Sequence, residues 1–211
     1  MPKIENITKH PSFPRPDKPW LLSGRFVDAL EAAAVMFADR KRKGCDIPYI
    51  SHLLGTCAIA LEHGASEDEA IAALFHDAIE DIEDKAKVRA VVGLFGPEVL
   101  RIVEACSDTD KFPKPPWEER KTAYVKRMET ADRSVLLVSA ADKLHNARAI
   151  AADLRRYGPA LWERFSAPRE RQLWYYRALL AIFRKRLTDR PALANELERE
   201  VDEMEKFPAA A

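Results

Sequence analysis

The sequence AIAALFHDAIEDIED, residues 70–84, places His76 beside Asp77 within an otherwise apolar helical pattern. At about 100° per residue, its ionisable side chains fall within an arc of about 140°, and apolar residues occupy the opposite side. Ser66 and Glu69 form a Ser-x-x-Glu capping box ahead of this stretch, which predicts where the helix begins. We therefore expect one continuous helix with a core face and a polar face. The polar face carries His76, Asp77, Glu80 and Asp81.

Adjacent histidine and aspartate side chains suit a divalent transition metal, because imidazole and carboxylate both bind such ions. A solvated helix face is the alternative explanation of a single His-Asp pair. Glu80 and Asp81 favour the metal, since like charges at helical spacing destabilise a helix unless a cation offsets them. The remaining ligands must then come from elsewhere in the chain.

One further candidate ligand is His52, in the first turn of a helix predicted over residues 48–64. A short connection joins this helix to residues 70–84, which favours antiparallel packing of the two. Packing of this kind would bring His52 towards the His-Asp pair. A capping or surface role is the alternative for a single histidine in this position.

Another candidate is Asp142, which directly follows the apolar run 135–141 in a helix predicted over residues 134–154. A run that is apolar all round must be largely buried. A buried carboxylate is costly unless it is paired or bound to a metal, so Asp142 requires either a metal ion or a salt bridge to Arg or Lys. Asn146 shares its stripe of the helix, whereas Lys143 and His145 are expected to point elsewhere.

Composition limits the class of protein. The 211 residues include 34 basic and 34 acidic side chains, so the overall charge gives no argument for a nucleic-acid partner. Three widely spaced cysteines, Cys45, Cys57 and Cys106, are expected to be free thiols in a reducing compartment. The sequence contains neither a secretory signal nor a membrane-spanning run, so we predict a cytoplasmic protein that binds no membrane.

The chain divides into three predicted parts. Residues 1–22 contain five prolines and are expected to form an extended arm. Residues 23–188 form the main domain, and residues 189–211 form an amphipathic helix and tail that could cap the domain or meet a partner. No alternating strand pattern occurs, so the predicted fold is all-α, with one helical domain.

A first core helix is predicted from Ser23 to the basic run 40–43, with Gly44 as its left-handed cap. Four consecutive cations exceed what capping requires. Residues 157–187 are predicted to be helical, and the aromatic run Trp174-Tyr175-Tyr176 within them is expected to lie in the core.

Residues 107–119 are predicted to form a loop, because three prolines exclude a regular element. Four cations in or just after this loop are secondary candidates for contact with an anion, and a solvated surface is the alternative. They are Lys111, Lys114, Arg120 and Lys121.

His52, the pair His76-Asp77 and Asp142 resemble the H…HD…D arrangement of the HD superfamily of metal-dependent phosphohydrolases. Over about residues 25–185 the chain further resembles the hydrolase domain of RelA/SpoT homologues. The segments that carry this likeness are Arg42-Lys43, PYIxH (48–52), ALFHDxxED (73–81) and ADKLHNxR (141–148).

The resemblance implies a stand-alone small alarmone hydrolase that removes the 3′-pyrophosphate of (p)ppGpp, giving GDP or GTP and pyrophosphate. It implies one Mn²⁺ ion held by four ligands, a set whose nitrogen and oxygen atoms suit that ion. These ligands are His52, His76, Asp77 and Asp142.

Roles for other residues follow from the same resemblance. Glu80 and Asp81 would orient water or protonate the ribose 3′-oxygen, and Asn146 would hold substrate or water. Arg42 would stack on the base and Lys43 would meet phosphate, while Tyr175 or Tyr176 would pack on the ribose.

The segment before Pro48 departs from the family pattern, because it lacks the usual His and Gln. The small-molecule nucleotide is therefore open among ppGpp, ppApp and NADPH, whose 2′-phosphate the same site would hydrolyse. A non-catalytic module that binds an alarmone is another alternative, which the intact Glu80-Asp81 pair disfavours. A homo-oligomer is also left open.

Overall fold

The computed structural model describes residues 22–209, and within this range it contains ten α-helices and one 3₁₀ segment. The prediction of an all-α fold is confirmed, since the described range holds no β-strand and only an isolated bridge between Lys41 and Pro48. Residues 1–21 of the predicted arm lie outside the described range. The elements are α1 Gly24–Met36, α2 Ile50–Glu62, α3 Glu67–Phe75, α4 Ala78–Asp81, α5 Lys85–Gly93, α6 Pro97–Cys106, α7 Trp117–Met128, α8 Arg133–Tyr157, the 3₁₀ segment Gly158–Arg164, α9 Arg169–Arg186 and α10 Pro191–Glu205.

Helix α1 begins where it was predicted but ends earlier. The Ser23 hydroxyl accepts a hydrogen bond from the backbone N–H of Arg25, which caps the helix. The helix ends at Met36, so the predicted extension to residues 40–43 is wrong. Those residues lie in a turn closed by a backbone bond from the Arg42 N–H to the Ile47 carbonyl, and Gly44 has a φ of 78° within that turn. The basic run is therefore held on a loop.

The predicted continuous helix over residues 70–84 is also wrong, because it breaks at the His-Asp pair. Helix α3 begins at the capping box of Ser66 and Glu69, as predicted, and ends at Phe75. His76 and Asp77 form a turn before the short helix α4 begins. The apolar side of α3 is buried in the core, and the two ionisable residues lie in the turn at its end.

Helix α8 lies at the centre of the fold and packs against α2, α3, α6, α9 and α10. The Asp132 side chain caps it by accepting from two backbone N–H groups. Residues 135–142 are all buried, which confirms the burial predicted for this run and for Asp142. Residues 157–187 are mostly helical, as predicted, but they divide into the 3₁₀ segment Gly158–Arg164 and α9, with a turn between them.

The C-terminal helix α10 packs on α8 and α9. Its apolar side chains are fully buried, so this amphipathic helix covers one side of the core; they include Leu193, Leu197, Val201 and Met204. The limits of the predicted parts, 1–22, 23–188 and 189–211, stay predictions. Within the described residues, no helix combines the length and the apolar character needed to cross a bilayer.

Two smaller predictions concern the cysteines and the proline-rich loop. Cys45 is an exposed free thiol, and Cys57 and Cys106 are buried free thiols, as expected. The loop predicted over residues 107–119 ends at Pro116, because α7 already begins at Trp117. Proline directly before a helix is compatible with this start, since it has no N–H to leave unpaired.

Candidate active site

Four side chains from three parts of the fold converge at one point. His52 comes from α2, His76 and Asp77 from the turn after α3, and Asp142 from α8. Nε2 of His52 lies 3.1 Å from Nε2 of His76. Oδ2 of Asp77 lies 3.3 Å and 3.0 Å from these two nitrogens, and Oδ1 of Asp142 lies 3.2 Å and 3.4 Å from them.

The distances among His52, His76 and Asp142 fit a shared metal ion, since one ligand atom of each lies within 4.8 Å of the others. Ligands bound at about 2.1 Å lie about 3.0 Å apart at right angles and about 3.4 Å apart at tetrahedral angles. Nδ1 of His76 donates to the Ala73 carbonyl at 2.8 Å, so its Nε2 faces the cluster. Two imidazoles and two carboxylates therefore face each other, and His52, His76 and Asp142 form a group that can hold a metal ion.

The charges within the cluster shift its pKa values strongly. Burial raises the pKa of Asp142, but the positive charges of Lys143 and His76 outweigh it and hold this pKa well below its usual range. For Asp77, burial is likewise outweighed by His76, with hydrogen bonds from His52 and His76, and its pKa is also lowered. Both carboxylates are thus ionised at neutral pH and available to a cation.

Tyr49 holds the Asp77 carboxylate. Its hydroxyl donates a 2.6 Å hydrogen bond to Oδ2, the oxygen that faces the two histidines. Burial and the negative charge of Asp77 raise the pKa of Tyr49, so the phenol keeps its proton and remains a donor. Tyr49 was not among the predicted site residues, although it lies three residues before His52 in a quoted segment.

The prediction that Lys143 and His145 point away from Asp142 and the cluster is wrong. Lys143 is buried and pairs with Oδ2 of Asp142, which leaves Oδ1 for the cluster. Nδ1 of His145 lies 2.9 Å from Nδ1 of His52. Burial lowers the pKa of His145 to about 4, so its ring is neutral at pH 7 and shares a hydrogen bond with His52.

Gly55 makes the approach of His145 possible. A Cβ atom at this position of α2 would lie 2.1 Å from Cδ2 and 2.2 Å from Nε2 of His145. Any side chain on Gly55 would therefore displace the ring that positions His52. A glycine inside a predicted helix, three residues after a candidate ligand, is the feature of the sequence that could have indicated this contact.

Asn146 connects the cluster to the basic loop. Its Nδ2 donates to Oδ1 of Asp142 at 2.6 Å, and its Oδ1 accepts from Nη2 of Arg42 at 2.8 Å. The stripe predicted for Asp142 and Asn146 is confirmed by this contact. Arg42 is half-buried and lies 6.0 Å from the centre of the Tyr49 ring, whereas Lys43 is exposed.

Glu80 and Asp81 lie one turn beyond the ligands and contact the proline-rich loop. Nζ of Lys114 lies 2.8 Å from Oε1 of Glu80 and 2.9 Å from Oδ1 of Asp81. Burial and the neighbouring Asp108 carboxylate raise the pKa of Glu80 to about 7, against the opposing charges of Lys121 and Lys114. A carboxyl group with this pKa exchanges its proton near neutral pH.

A cavity of about 780 Å³ opens beside the cluster. Arg42, Lys43, Asp81, Asn146 and Tyr176 line it, and its volume is in the range of small-molecule sites. Tyr175 and Tyr176 are buried, as expected for the aromatic run 174–176, whereas Trp174 is half-buried. Of the predicted tyrosine pair, only Tyr176 is part of this lining. Tyr175 instead lies between two ammonium groups, Lys121 at 5.1 Å and Lys143 at 5.7 Å from its ring centre.

Known proteins share this sequence pattern. The model of a family described as the HD domain matches residues 29–170. The guanosine-3′,5′-bis(diphosphate) 3′-pyrophosphohydrolase MESH1 of Drosophila melanogaster is 29% identical over 186 residues, covering 86% of this chain and 93% of the relative. MESH1 of Homo sapiens is 32% identical over 146 residues, covering 66% of this chain and 75% of the relative.

Solved structures share the fold. A protein described as a metazoan orthologue of SpoT that hydrolyses ppGpp superposes with a TM-score of 0.67 at 25% identity, over 90% of this chain and 97% of that one. The protein lmo0812 of Listeria monocytogenes superposes with a TM-score of 0.63 at 28% identity, over 74% of this chain and 99% of that one. The chain therefore belongs to the HD-domain family and, within it, to the group of MESH1 and the SpoT-like hydrolases.

Proposed function

We propose that this protein hydrolyses the 3′-pyrophosphate of a guanosine alarmone, (p)ppGpp, in a metal-dependent reaction. The observation that carries the proposal is the convergence of two histidines and two aspartates beside a cavity lined by Arg42, Lys43 and Asn146. The relatives named as ppGpp 3′-pyrophosphohydrolases support the choice of substrate. The intact acidic pair, Glu80 and Asp81, favours turnover over binding alone.

We further propose that the metal is Mn²⁺, held by His52, His76, Asp77 and Asp142. Two imidazoles and two carboxylates form a ligand set suited to this ion, and the family resemblance favours it among similar ions. When bound, such an ion acts as a Lewis acid towards a phosphoryl oxygen and makes a water molecule more acidic. Tyr49, Lys143 and His145 keep the ligands in place through the contacts described above.

The reaction joins a water oxygen to the phosphorus attached to the ribose 3′-oxygen. The bond between that phosphorus and the 3′-oxygen breaks, and its electron pair leaves with the 3′-oxygen. Glu80, with a pKa of about 7, takes up the proton of the water or supplies a proton to the 3′-oxygen. Asp81 and Asn146 orient the reacting groups, and the products are GDP or GTP and pyrophosphate.

The nucleotide would occupy the cavity beside the cluster. Arg42, fixed by Asn146, presents its guanidinium to the base, and Lys43 meets the 5′-phosphates from the exposed edge. Tyr176 packs against the ribose. Tyr175 supports the site indirectly in this proposal, because its buried ring contacts Lys143, the partner of Asp142.

Product analysis of the Mn²⁺-loaded protein with ppGpp, ppApp and NADPH tests the proposal. We expect GDP and pyrophosphate from ppGpp, separated by ion-exchange chromatography and identified by ³¹P NMR. If the protein released phosphate from NADPH, or pyrophosphate from ppApp, faster than pyrophosphate from ppGpp, that nucleotide would be the substrate instead of the guanosine alarmone. Tight binding of ppGpp without any product would indicate a sensor. The cytoplasmic location and a homo-oligomeric state stay predictions.

A further inference from the structure

The proline-rich loop between α6 and α7 carries a lysine to the acidic pair of the site. Lys114 lies between Pro113 and Pro115, and its Nζ contacts both Glu80 and Asp81 at 2.8 Å and 2.9 Å. Proline fixes its own φ and restricts the residue before it, so the backbone on both sides of Lys114 has little freedom. The loop thus presents this ammonium group at a defined place.

Several cations surround the acidic pair. Asp108 already has two cationic partners, Arg120 and Lys121, the latter at 2.6 Å. Nζ of Lys85 donates to the backbone carbonyl of Glu80 at 3.2 Å, so it neutralises no carboxylate directly. The carboxylates of Asp77 and Asp110 also act on this group. Lys114 is the cation whose ion-pair partners within residues 22–209 are the two carboxylates of the acidic pair.

Lys114 is the cation in this group that solvent and ligands reach most easily. Its side chain is 36% exposed, compared with 13% for Arg120 and 17% for Lys121. Its partner Asp81 lines the cavity that Arg42 and Asn146 also line. Lys114 therefore lies next to Asp81 at the edge of the cavity that we propose for the nucleotide.

We propose that Lys114 binds the distal phosphoryl group of a ribose 3′-pyrophosphate and so distinguishes pyrophosphate from monophosphate substrates. This inference rests on the proposed function. With the nucleoside beside Arg42 and the attacked phosphorus at the ligand cluster, the next phosphoryl group extends to the Glu80-Asp81 border. An ammonium group has three donors and binds phosphate as a point charge, so Lys114 exchanges a carboxylate for the phosphoryl oxygens. Its departure from Glu80 leaves that carboxyl free to exchange a proton.

Lys114→Met tests this assignment, with Lys111→Met as the matched control. Lys111 lies on the same loop, is exposed and makes no ion pair within residues 22–209. The substrates are ppGpp and its analogue with a single 3′-phosphate, ppGp. We expect Lys114→Met to lower kcat/KM for ppGpp by about 10–150-fold, the range for a lost hydrogen bond to a charged group. The value for ppGp should change less than about threefold, and Lys114→Arg should restore part of the loss because it keeps the charge.

Binding provides a second measurement that does not depend on turnover. Isothermal titration of chelator-treated protein gives the ratio of the Kd values for ppGp and ppGpp in each variant. This ratio should fall at least about tenfold in Lys114→Met and stay unchanged in Lys111→Met. An equal loss for both nucleotides would overturn the inference and leave Lys114 as a residue that positions Glu80 and Asp81. An unchanged Kd ratio in Lys114→Met would also overturn the inference and leave Lys114 as part of a surface ion pair. A wild-type protein that hydrolyses neither nucleotide would refute the proposed function, while the Kd ratio would still decide the role of Lys114.

Discussion

Nη2 of Arg42 donates a 2.8 Å hydrogen bond to Oδ1 of Asn146, a residue 104 positions later in the chain. Asn146 in turn donates a hydrogen bond to Asp142, so hydrogen bonds connect the basic loop to the proposed metal ligands. The guanidinium is therefore oriented before any nucleotide arrives, which lowers the entropic cost of binding.

The first prediction concerns this network. Arg42→Ala should raise KM and change the ratio of guanosine to adenosine substrates, with a loss of about 1–3 kcal/mol in kcat/KM. In the double variant Arg42→Ala/Asn146→Ala, the loss in kcat/KM should be smaller than the sum of the two single losses, because the two side chains act through one hydrogen bond. Lys43→Ala is the control, since this exposed residue should weaken both substrates alike. Additive losses would show that Arg42 and Asn146 act independently.

The second prediction concerns the metal ligands. His76→Ala or Asp77→Ala should abolish turnover and lower the Mn²⁺ content, because each removes one of the four proposed metal ligands. Mass spectrometry of the purified proteins measures the metal. His63→Ala is a suitable control, because His63 lies outside the cluster, 3.7 Å from Glu196. Full metal occupancy together with full activity in either variant would show that the substituted residue is not a metal ligand.

The third prediction separates proton exchange from metal binding. Glu80→Gln keeps the shape of the side chain but cannot exchange a proton, so turnover should fall by roughly 10²–10⁴-fold while metal content stays unchanged. Initial rates and metal analysis on the same preparation measure both quantities. If Glu80→Gln turned over at the wild-type rate, Glu80 would not exchange a proton in the reaction.

The fourth prediction uses the pKa of Glu80, which rises from an ordinary value of 4.5 to about 7 in the folded protein. Between these values the folded state binds more protons than the unfolded state, so folding loses stability as the pH rises. The free energy of unfolding of the wild type should therefore fall relative to Glu80→Gln from about pH 4.5 to about pH 7, by an amount on the order of 1–3 kcal/mol. Urea unfolding at pH 5, 6, 7 and 8 measures the difference, which should level off above pH 7. A difference that does not vary with pH would mean that the Glu80 pKa is not raised.

The fifth prediction concerns Gly55. Gly55→Ala should displace the His145 ring, because the new Cβ would lie 2.1 Å from Cδ2. His52 would then lose its partner, and metal affinity should fall about 10–100-fold, the usual effect of losing a residue that orients a ligand. Competition with a chelator measures this affinity. Gly93→Ala is the matched control, because its Cβ would meet Leu100 at an ordinary 3.8 Å. Equal affinities in both variants would show that His145 moves aside without effect on His52.

The sequence by itself determined the parts of the fold that depend on local chemistry. Hydrophobic periodicity predicted the helices, and the Ser66-Glu69 capping box predicted the start of α3 because capping involves residues three apart. The apolar run before Asp142 predicted the burial of this carboxylate, since no other environment accommodates such a run. The resemblance of the H…HD…D residues to the HD superfamily implied that these four side chains share one site.

Tertiary structure alone decided how the chain turns at the site and which side chains support it. At the break, Asp77 meets Tyr49 and His76 meets Asp142 of α8, and no helical period contains these contacts. His145 faces His52 only because Gly55 on another helix leaves room for its ring. Lys114 reaches Glu80 and Asp81 across 34 and 33 residues through a loop whose path depends on packing. Local sequence specifies hydrogen bonds and periodicity within a few residues, whereas contacts between distant segments are set by how the helices pack together.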